Sequence, residues 1–292
     1  MKISTSVNYG INNGLSKRDA LRVMKQAGYD GIDLDLSAHQ FEPEKYLTKA
    51  WLDDAVETGR IAKEEGLEVV QCHLPYYPGH LPNPGDGSVK AFCDAWLPLY
   101  EHALDACGQV GCKIGVTHPM CERSGREATI EANVIITEKL KPQLKDCNIR
   151  LAYENCFIRE NRKNIPMYVE EAETICGIVE NAGSEYAGAC LDTGHANIFR
   201  FDISEFARKL GKNLIALHVN SNGGEDHHSV PYMISGWTER MDFFAFSRTL
   251  KEIGYQGSYN LEIAGGRFPP EAAKLFYGYT ACVARWLADM AN

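Results

Sequence analysis

The chain has 292 residues, 45% of them apolar and 24% charged, with a formal net charge of −9. That apolar share can build a sizeable core, and the acidic balance argues against a broad nucleic-acid-binding face. No run of about 18 uncharged apolar residues occurs, which excludes a membrane-spanning helix from the expected elements.

Strand-like and helical stretches alternate from the start. KISTSVNY (2–9) reads as a strand, and SKRDALRVMKQAGY as a helix with Ser16 as N-cap and Gly28 as its stop. GIDLDL (31–36) is followed by the helical AWLDDAVETGRIAKEEG, and LEVVQCHLP (67–75) by the turn-rich YYPGHLPNPGDGS (76–88). That turn-rich stretch is expected to form a lid or rim, not a domain boundary. VKAFCDAWLPLYEHALDACGQVG, CKIGVTHP (112–119) and TIEANVIITEKLKPQL come next, with Pro142 expected to kink or end the last of these. IRLAYENC (149–156) and AGACLDTG (187–194) read as strands, with YVEEAETICGIVENAG helical between them. ISEFARKLG, LIALHVNS (214–221), FFAFSRTLKEIGY and SYNLEI (258–263) continue the alternation, and PPEAAKLFYGYTACVARWLADMA closes it.

Eight strands, most dense in apolar residues as parallel strands covered on both sides are, and each followed by a helix, predict a (β/α)8 TIM barrel. No Pro-, Gly- or Ser-rich linker divides the chain, so one domain over 1–292 is expected. An open doubly wound sheet is the alternative, but no GxGxxG follows the first strand.

Several apolar runs end on a polar group, which a buried strand cannot do without a partner. These ends are His73, His118, Glu154, Asp192, His218 and Glu262, spaced at intervals close to one βα unit. A barrel brings such ends to one mouth. Three carboxylates and three imidazoles gathered there need compensation, and a divalent cation supplies it. Mixed oxygen and imidazole donors suit Mn2+ or Zn2+, with Co2+ or Mg2+ possible, and the absence of thiolate argues against a closed structural zinc site. His195 lies three residues after Asp192, and Asp226 and His228 follow His218 in GGEDHHSVP. Any one of these is more often a packing or solvated residue; their joint recurrence at strand ends points to a shared site.

The residues resemble the xylose-isomerase-like barrels of sugar isomerases, ketose 3-epimerases, inosose dehydratases and zinc-dependent abasic-site endonucleases. The matching pieces are GYDGIDLDL, HLPY, THP, YEN, LDTGHAN, LHVN, DHHSVP and LKEIGYQGSYNLEI. The resemblance implies one divalent metal held by Glu154, Asp192, His218 and Glu262. His195 matches the histidine that epimerases carry after the sixth strand, but the arginine they carry after the seventh-strand histidine is missing from HVNSNGGEDHH. The endonuclease branch implies a trinuclear zinc site, for which His73, His118, Glu154, Asp192, His195, His218, Asp226, His228 and Glu262 are candidates. Sparse Lys and Arg in the mouth loops favour the sugar branch, because a nuclease must grip phosphates.

The expected chemistry is isomerisation or epimerisation of a small sugar, sugar phosphate, inosose or polyol by proton transfer through an enediolate. Glu154 and Glu262 are expected to exchange the proton, with His195 orienting a hydroxyl or relaying a proton. His73, His118, Tyr76 and His228 are expected to bind substrate. Inosose-type dehydration, and a barrel that keeps the metal without catalysis, are alternatives. AGGRF (264–268) could cradle a phosphate, although a plain turn is the commoner reading. Neither nucleic acid nor membrane is an expected partner, and a homo-oligomer is possible. Ten cysteines without a CxxC pair, and a start lacking the apolar centre of a signal peptide, predict reduced thiols and a cytoplasmic location.

Overall fold

A computed structural model describes residues 1–76, 88–160, 163–232, 241–264 and 268–291. The rim expected after Tyr76 and the centre of AGGRF lie outside the described residues.

Eight parallel strands form the barrel: β1 (Ile3–Ser6), β2 (Gly31–Asp35), β3 (Glu68–His73), β4 (Ile114–Thr117), β5 (Arg150–Glu154), β6 (Ala187–Asp192), β7 (Leu214–His218) and β8 (Tyr259–Leu261). Each pairs with its sequence neighbour, and β8 returns to β1 with Ile3 opposite Tyr259. The remaining gap closes through a parallel bridge between Val219 and Leu261, where the Val219 N–H donates to the Asn260 carbonyl at 2.8 Å. The open-sheet alternative is thereby excluded.

Eight helices follow the strands: α1 (Lys17–Ala27), α2 (Lys49–Glu64), α3 (Ser88–Val110), α4 (Arg126–Cys147), α5 (Ala172–Ala182), α6 (Ile203–Leu210), α7 (Phe243–Glu252) and α8 (Pro270–Met290). The Ser16 hydroxyl accepts the Asp19 N–H as expected of an N-cap, and Gly28 ends α1 at φ 101°, a conformation that costs glycine little. Pro142 does not end α4, which runs on to Cys147. Its solvent-facing flank lets neighbouring bonds and packing carry the helix past one missing donor. The first strand is shorter than expected: Asn8–Asn12 is already helical. Further elements went unanticipated, among them a hairpin of Ile158–Glu160 with Lys163–Ile165 and short helices over Pro43–Tyr46 and Thr193–Ile198.

The barrel interior divides in two. Val116, Ala152, Cys190, Ile215 and Ala216 form a small apolar cluster. The β1–β3 and β8 side instead carries a buried polar chain. Ser4 Oγ lies 2.8 Å from Ser258 Oγ and donates to Asn260 Oδ1, Asn260 Nδ2 donates to Asp33 Oδ2 at 2.9 Å, and Gln71 Nε2 donates to the same oxygen at 2.8 Å. These contacts partner the buried amides and Asp33 Oδ2 inside the barrel, while Asp33 Oδ1 is buried without a hydrogen-bond partner. The chain ends beneath His218.

Candidate metal centre and active-site cleft

All six polar strand ends meet at the mouth. His73, Glu154, Asp192 and His218 are the last residues of their strands, and His118 and Glu262 each stand one residue past theirs. His218 sits at the centre, fully buried. Its Nδ1 is 3.1 Å from Glu154 Oε2 and 3.2 Å from Glu262 Oε2, and its Nε2 is 3.3 Å from Asp33 Oδ2. One ligand atom from each of Glu154, Asp192, His218 and Glu262 lies within 4.8 Å of the others, the set anticipated from the sequence.

This set fits a divalent cation. Both Glu154 oxygens, Glu262 Oε2 and His218 Nδ1 are buried without a hydrogen-bond partner. Lone pairs that converge in a buried site are costly unless a positive charge meets them. Asp192 is fixed beside them as the cap of the short helix: its Oδ1 accepts the His195 N–H at 2.6 Å and its Oδ2 accepts Asn220 Nδ2 at 2.8 Å. Asn155 locks the strand end from the other side, trading two hydrogen bonds with the Asp192 backbone at 2.8 and 2.9 Å.

The other histidines ring this core. His73 Nδ1 contacts the Leu74 carbonyl at 2.9 Å, a donation that leaves Nε2 with its lone pair facing Glu154 Oε2 at 3.8 Å. His118 Nε2 is 3.4 Å from the same oxygen, and Tyr76 stacks on the His118 ring at 4.7 Å. His195 Nδ1 lies 2.9 Å from the Asn155 carbonyl and 3.2 Å from Glu154 Oε1. His228 bridges Asp226 Oδ1 at 2.9 Å and Glu262 Oε2 at 3.2 Å. All nine candidates of the trinuclear pattern therefore face one another at the mouth. Further donor sets also close up, Asp192 with His195 and His228, and His118 with Glu154 and Cys156. Burial pushes the Cys156 thiol well up, which disfavours thiolate ligation there.

The electrostatics follow from crowding. Burial opposes ionisation of Glu154, but His218 and His118 outweigh it and hold the carboxyl well below the usual range. Glu262 is half-buried; desolvation opposes its ionisation too, but His218 and His228 outweigh it and depress the carboxyl. Burial pushes Asp192 up to about 6 against His195 and His228. Burial would lower His195, but Asp192 and Glu154 raise it to about 9. In His118 burial prevails over Glu154, and its pKa falls below the ordinary value.

A cleft of about 750 Å³ opens on this centre. His73, Tyr76, His228 and Glu262 form one wall, and Asn8, Asp35 and Ser37 from the β1 and β2 ends form the other. Of the residues expected to bind substrate, His118 is not in this wall; it stands behind Tyr76. Sequence reasoning missed Asp33. The signal was present, since two acids at alternate positions of GIDLDL put charge on the inner face of a buried strand.

The chain belongs to the xylose isomerase-like TIM barrel family, whose model matches residues 21–275. A stretch of 123 residues is 24% identical to the uncharacterized protein y4fM of Sinorhizobium fredii, spanning 41% of this chain and 35% of that protein. The fold resembles a D-tagatose 3-epimerase-like protein, with TM-score 0.70 and 18% identity over 99% of this chain and 98% of that one. It also resembles a D-psicose 3-epimerase crystallised in the presence of D-fructose, with TM-score 0.70 and 15% identity over 99% of each chain. The zinc-bound IOLI protein matches with TM-score 0.64 and 19% identity over 100% of this chain and 98% of its own. At these identities the likeness establishes the fold alone. Among the described residues, no helix is long and apolar enough to cross a membrane.

Proposed function

We propose that the protein, as one domain over 1–292, is a divalent-metal-dependent isomerase or epimerase of a small sugar or polyol. The observation that carries this reading is the pair Glu154 and Glu262. They come from β5 and from the residue after β8, and each presents an oxygen to His218 Nδ1, at 3.1 and 3.2 Å. A divalent cation bound by Glu154, Asp192, His218 and Glu262 would supply Lewis acidity toward adjacent substrate oxygens. Both glutamates are held ionised by the surrounding imidazoles, the unprotonated form from which a base must start. One carboxylate removes the proton next to the carbonyl, giving an enediolate, and the other returns a proton to it. His195, with Nδ1 turned to the Asn155 carbonyl, keeps Nε2 toward Asp226 at 3.9 Å and can hold a substrate hydroxyl. The zinc-bound IOLI neighbour and the two epimerase neighbours support the metal and the sugar class. Deuterium from D2O should enter a ketose or inosose next to its carbonyl in the presence of Mn2+ or Co2+, and Glu154→Gln and Glu262→Gln should each abolish it. Exchange that persists in either variant rules out that residue as the base.

A second reading, a zinc-dependent phosphodiesterase of the abasic-site endonuclease kind, is favoured by one observation: all nine trinuclear candidates face the mouth, with His228 Nε2 2.9 Å from Asp226 Oδ1. The net charge of −9 weighs against it, because phosphate neutralisation carries most duplex affinity. Metal analysis separates the readings: one ion per chain supports the sugar enzyme. Three ions, with cleavage at an abasic site lost in His228→Ala, establish the nuclease.

A further inference from the structure

The cleft is larger than a single sugar ring needs. At the roughly 30 Å³ that a whole water molecule takes up in liquid, the heavy atoms of a hexose fill at most about 360 Å³. The cleft holds about 750 Å³. A ring whose carbonyl meets His73, His228 and Glu262 therefore leaves as much space again, toward the β1 and β2 ends. Small-molecule sites bury most of their ligand's surface, so the far end calls for an occupant of its own. That end presents groups suited to hydroxyls. Asp35 accepts from Asn8 Nδ2 at 3.0 Å and from the Ser37 N–H and hydroxyl at 2.8 and 2.6 Å. These bonds fix the carboxylate, while Asp35 Oδ2 keeps a second lone pair and Asn8 keeps its carbonyl oxygen and one amide hydrogen. Tyr9 lines the same wall. It is only 7% exposed, and its hydroxyl is buried without a hydrogen-bond partner. Its ring is clamped by a stack on Phe276 at 4.3 Å and an edge contact with Tyr277 at 5.5 Å. The hydroxyl therefore cannot turn to find a partner elsewhere, and a buried group left unpaired is costly until one reaches it.

Charge selects the occupant. Asp33, Asp35 and Glu262 line the cleft, and none of its described lining residues is Lys or Arg. A phosphate at the far end would face the Asp35 carboxylate with no cation among those residues to meet it. An apolar tail would cover Asn8, Tyr9, Asp35 and Ser37 and leave their polar atoms unpaired. A sugar ring is uncharged, and its several hydroxyls both donate and accept, so it can serve all four. We propose that the Asn8–Asp35 end of the cleft is a subsite for a second, uncharged sugar ring, so that the substrate is a glycoside of a keto sugar. The carbonyl-bearing ring sits at the metal core, and its glycosidic partner lies against Asn8, Tyr9 and Asp35. This rests on the isomerase or epimerase reading for what happens at the first ring, while the second ring binds whether or not a proton moves.

The test is calorimetric titration of the Mn2+-loaded full chain with D-fructose, D-fructose 6-phosphate and two glucosylated fructoses, maltulose and isomaltulose. Deuterium uptake from D2O next to the carbonyl is followed on the same sugars. At least one glucosylated fructose should bind about tenfold tighter than fructose, equivalent to about 1.4 kcal/mol. Fructose 6-phosphate should bind no tighter than fructose. Tyr9→Phe removes only a hydroxyl that has no partner in the fold, so it should keep the melting temperature while it cuts the disaccharide advantage. Asn8→Ala should cut that advantage too, and the double variant should abolish it. Fructose bound as tightly as both disaccharides overturns the proposal. So does tighter binding of the phosphate, an advantage that survives both variants, or no binding of any of these sugars. A disaccharide advantage without deuterium uptake supports the subsite and overturns the isomerase or epimerase reading instead. Deuterium uptake with equal kcat/KM for fructose and both disaccharides keeps that reading and overturns the subsite.

Discussion

Asp33 stands behind His218: its Oδ2 lies 3.3 Å from His218 Nε2, on the side of the ring opposite Glu154 and Glu262. The same oxygen accepts from Gln71 and Asn260, at 2.8 and 2.9 Å, so its place is fixed from β3 and β8. A carboxylate there favours the tautomer with its proton on Nε2, which leaves the Nδ1 lone pair for the metal core. Asp33→Asn keeps an acceptor for both amides but removes the charge, and should weaken metal binding about tenfold. Asp33→Ala also strands the two amides and should approach about a hundredfold. Calorimetric titration of metal into the chelated protein checks both, and equal affinity in Asp33→Ala would leave Asp33 no positioning role.

The converging unpartnered oxygens predict what removing the metal does. Asp192→Ala or His218→Ala should lose metal by elemental analysis. Chelation of the wild type should lower its melting temperature, because an ion that binds only the folded chain adds about 2.7 kcal/mol at a hundred times its Kd. A melting temperature indifferent to chelator across a concentration series contradicts a tightly held ion.

Gly194 links the sequence motif LDTGHAN to the site. A Cβ there would lie 1.8 Å from Asn220 Oδ1 and 2.8 Å from Asn222 Nδ2. Asn220 holds Asp192 Oδ2 through its amide at 2.8 Å, so Gly194→Ala must push that clamp off the carboxylate. The expected cost is about 1–3 kcal/mol, with weaker metal binding. Because the severest clash is with the Asn220 side chain, Asn220→Ala should absorb part of it. Denaturant melts of the two single variants and the double should therefore be non-additive. Strict additivity would place the strain elsewhere.

The positions of Glu154 and His218 were legible because a strand run that ends on a charge is conspicuous against its own apolar background. Spacing near one βα unit then told that the ends converge. Asp33 escaped the same rule because it sits inside its strand, where inward direction and not terminal position makes it functional. The hairpin around 158–165 escaped because its strands are three residues each and rich in charge, too short for a period to register. The short helix at Thr193–Ile198 was hidden by its own cap: Asp192 is both the strand end and the N-cap, so strand and helix share a boundary. Pro142 did not end its helix, since a local breaker can be outweighed by packing. Buried Thr137, Leu140 and Leu144 hold α4 against the barrel on both sides of it.

The final prediction concerns pH and separates the metal-free from the metal-loaded protein. In the metal-free chain His195 is raised to about 9, because Asp192 and Glu154 outweigh burial. His218 and His228 are raised too, against burial, the first by Cys190 with Glu262 and Glu154, the second by Glu262 and Asp226. A base whose pKa is higher folded than unfolded contributes stability that is complete below its unfolded value, about 6.5 for histidine. That stability is lost as pH rises through the folded value. The chelated protein should therefore melt at progressively lower temperature between about pH 6.5 and pH 9. Asp192, raised to about 6, titrates below this window and does not alter the sign. The loaded protein behaves oppositely, because a cation requires neutral imidazole and its binding expels these protons. Affinity then climbs over the same window as the protons leave unaided. The gap between the two melting temperatures should widen with pH, read by scanning calorimetry with chelator and with Mn2+. A gap that stays flat or narrows would show that the raised histidines do not face the metal.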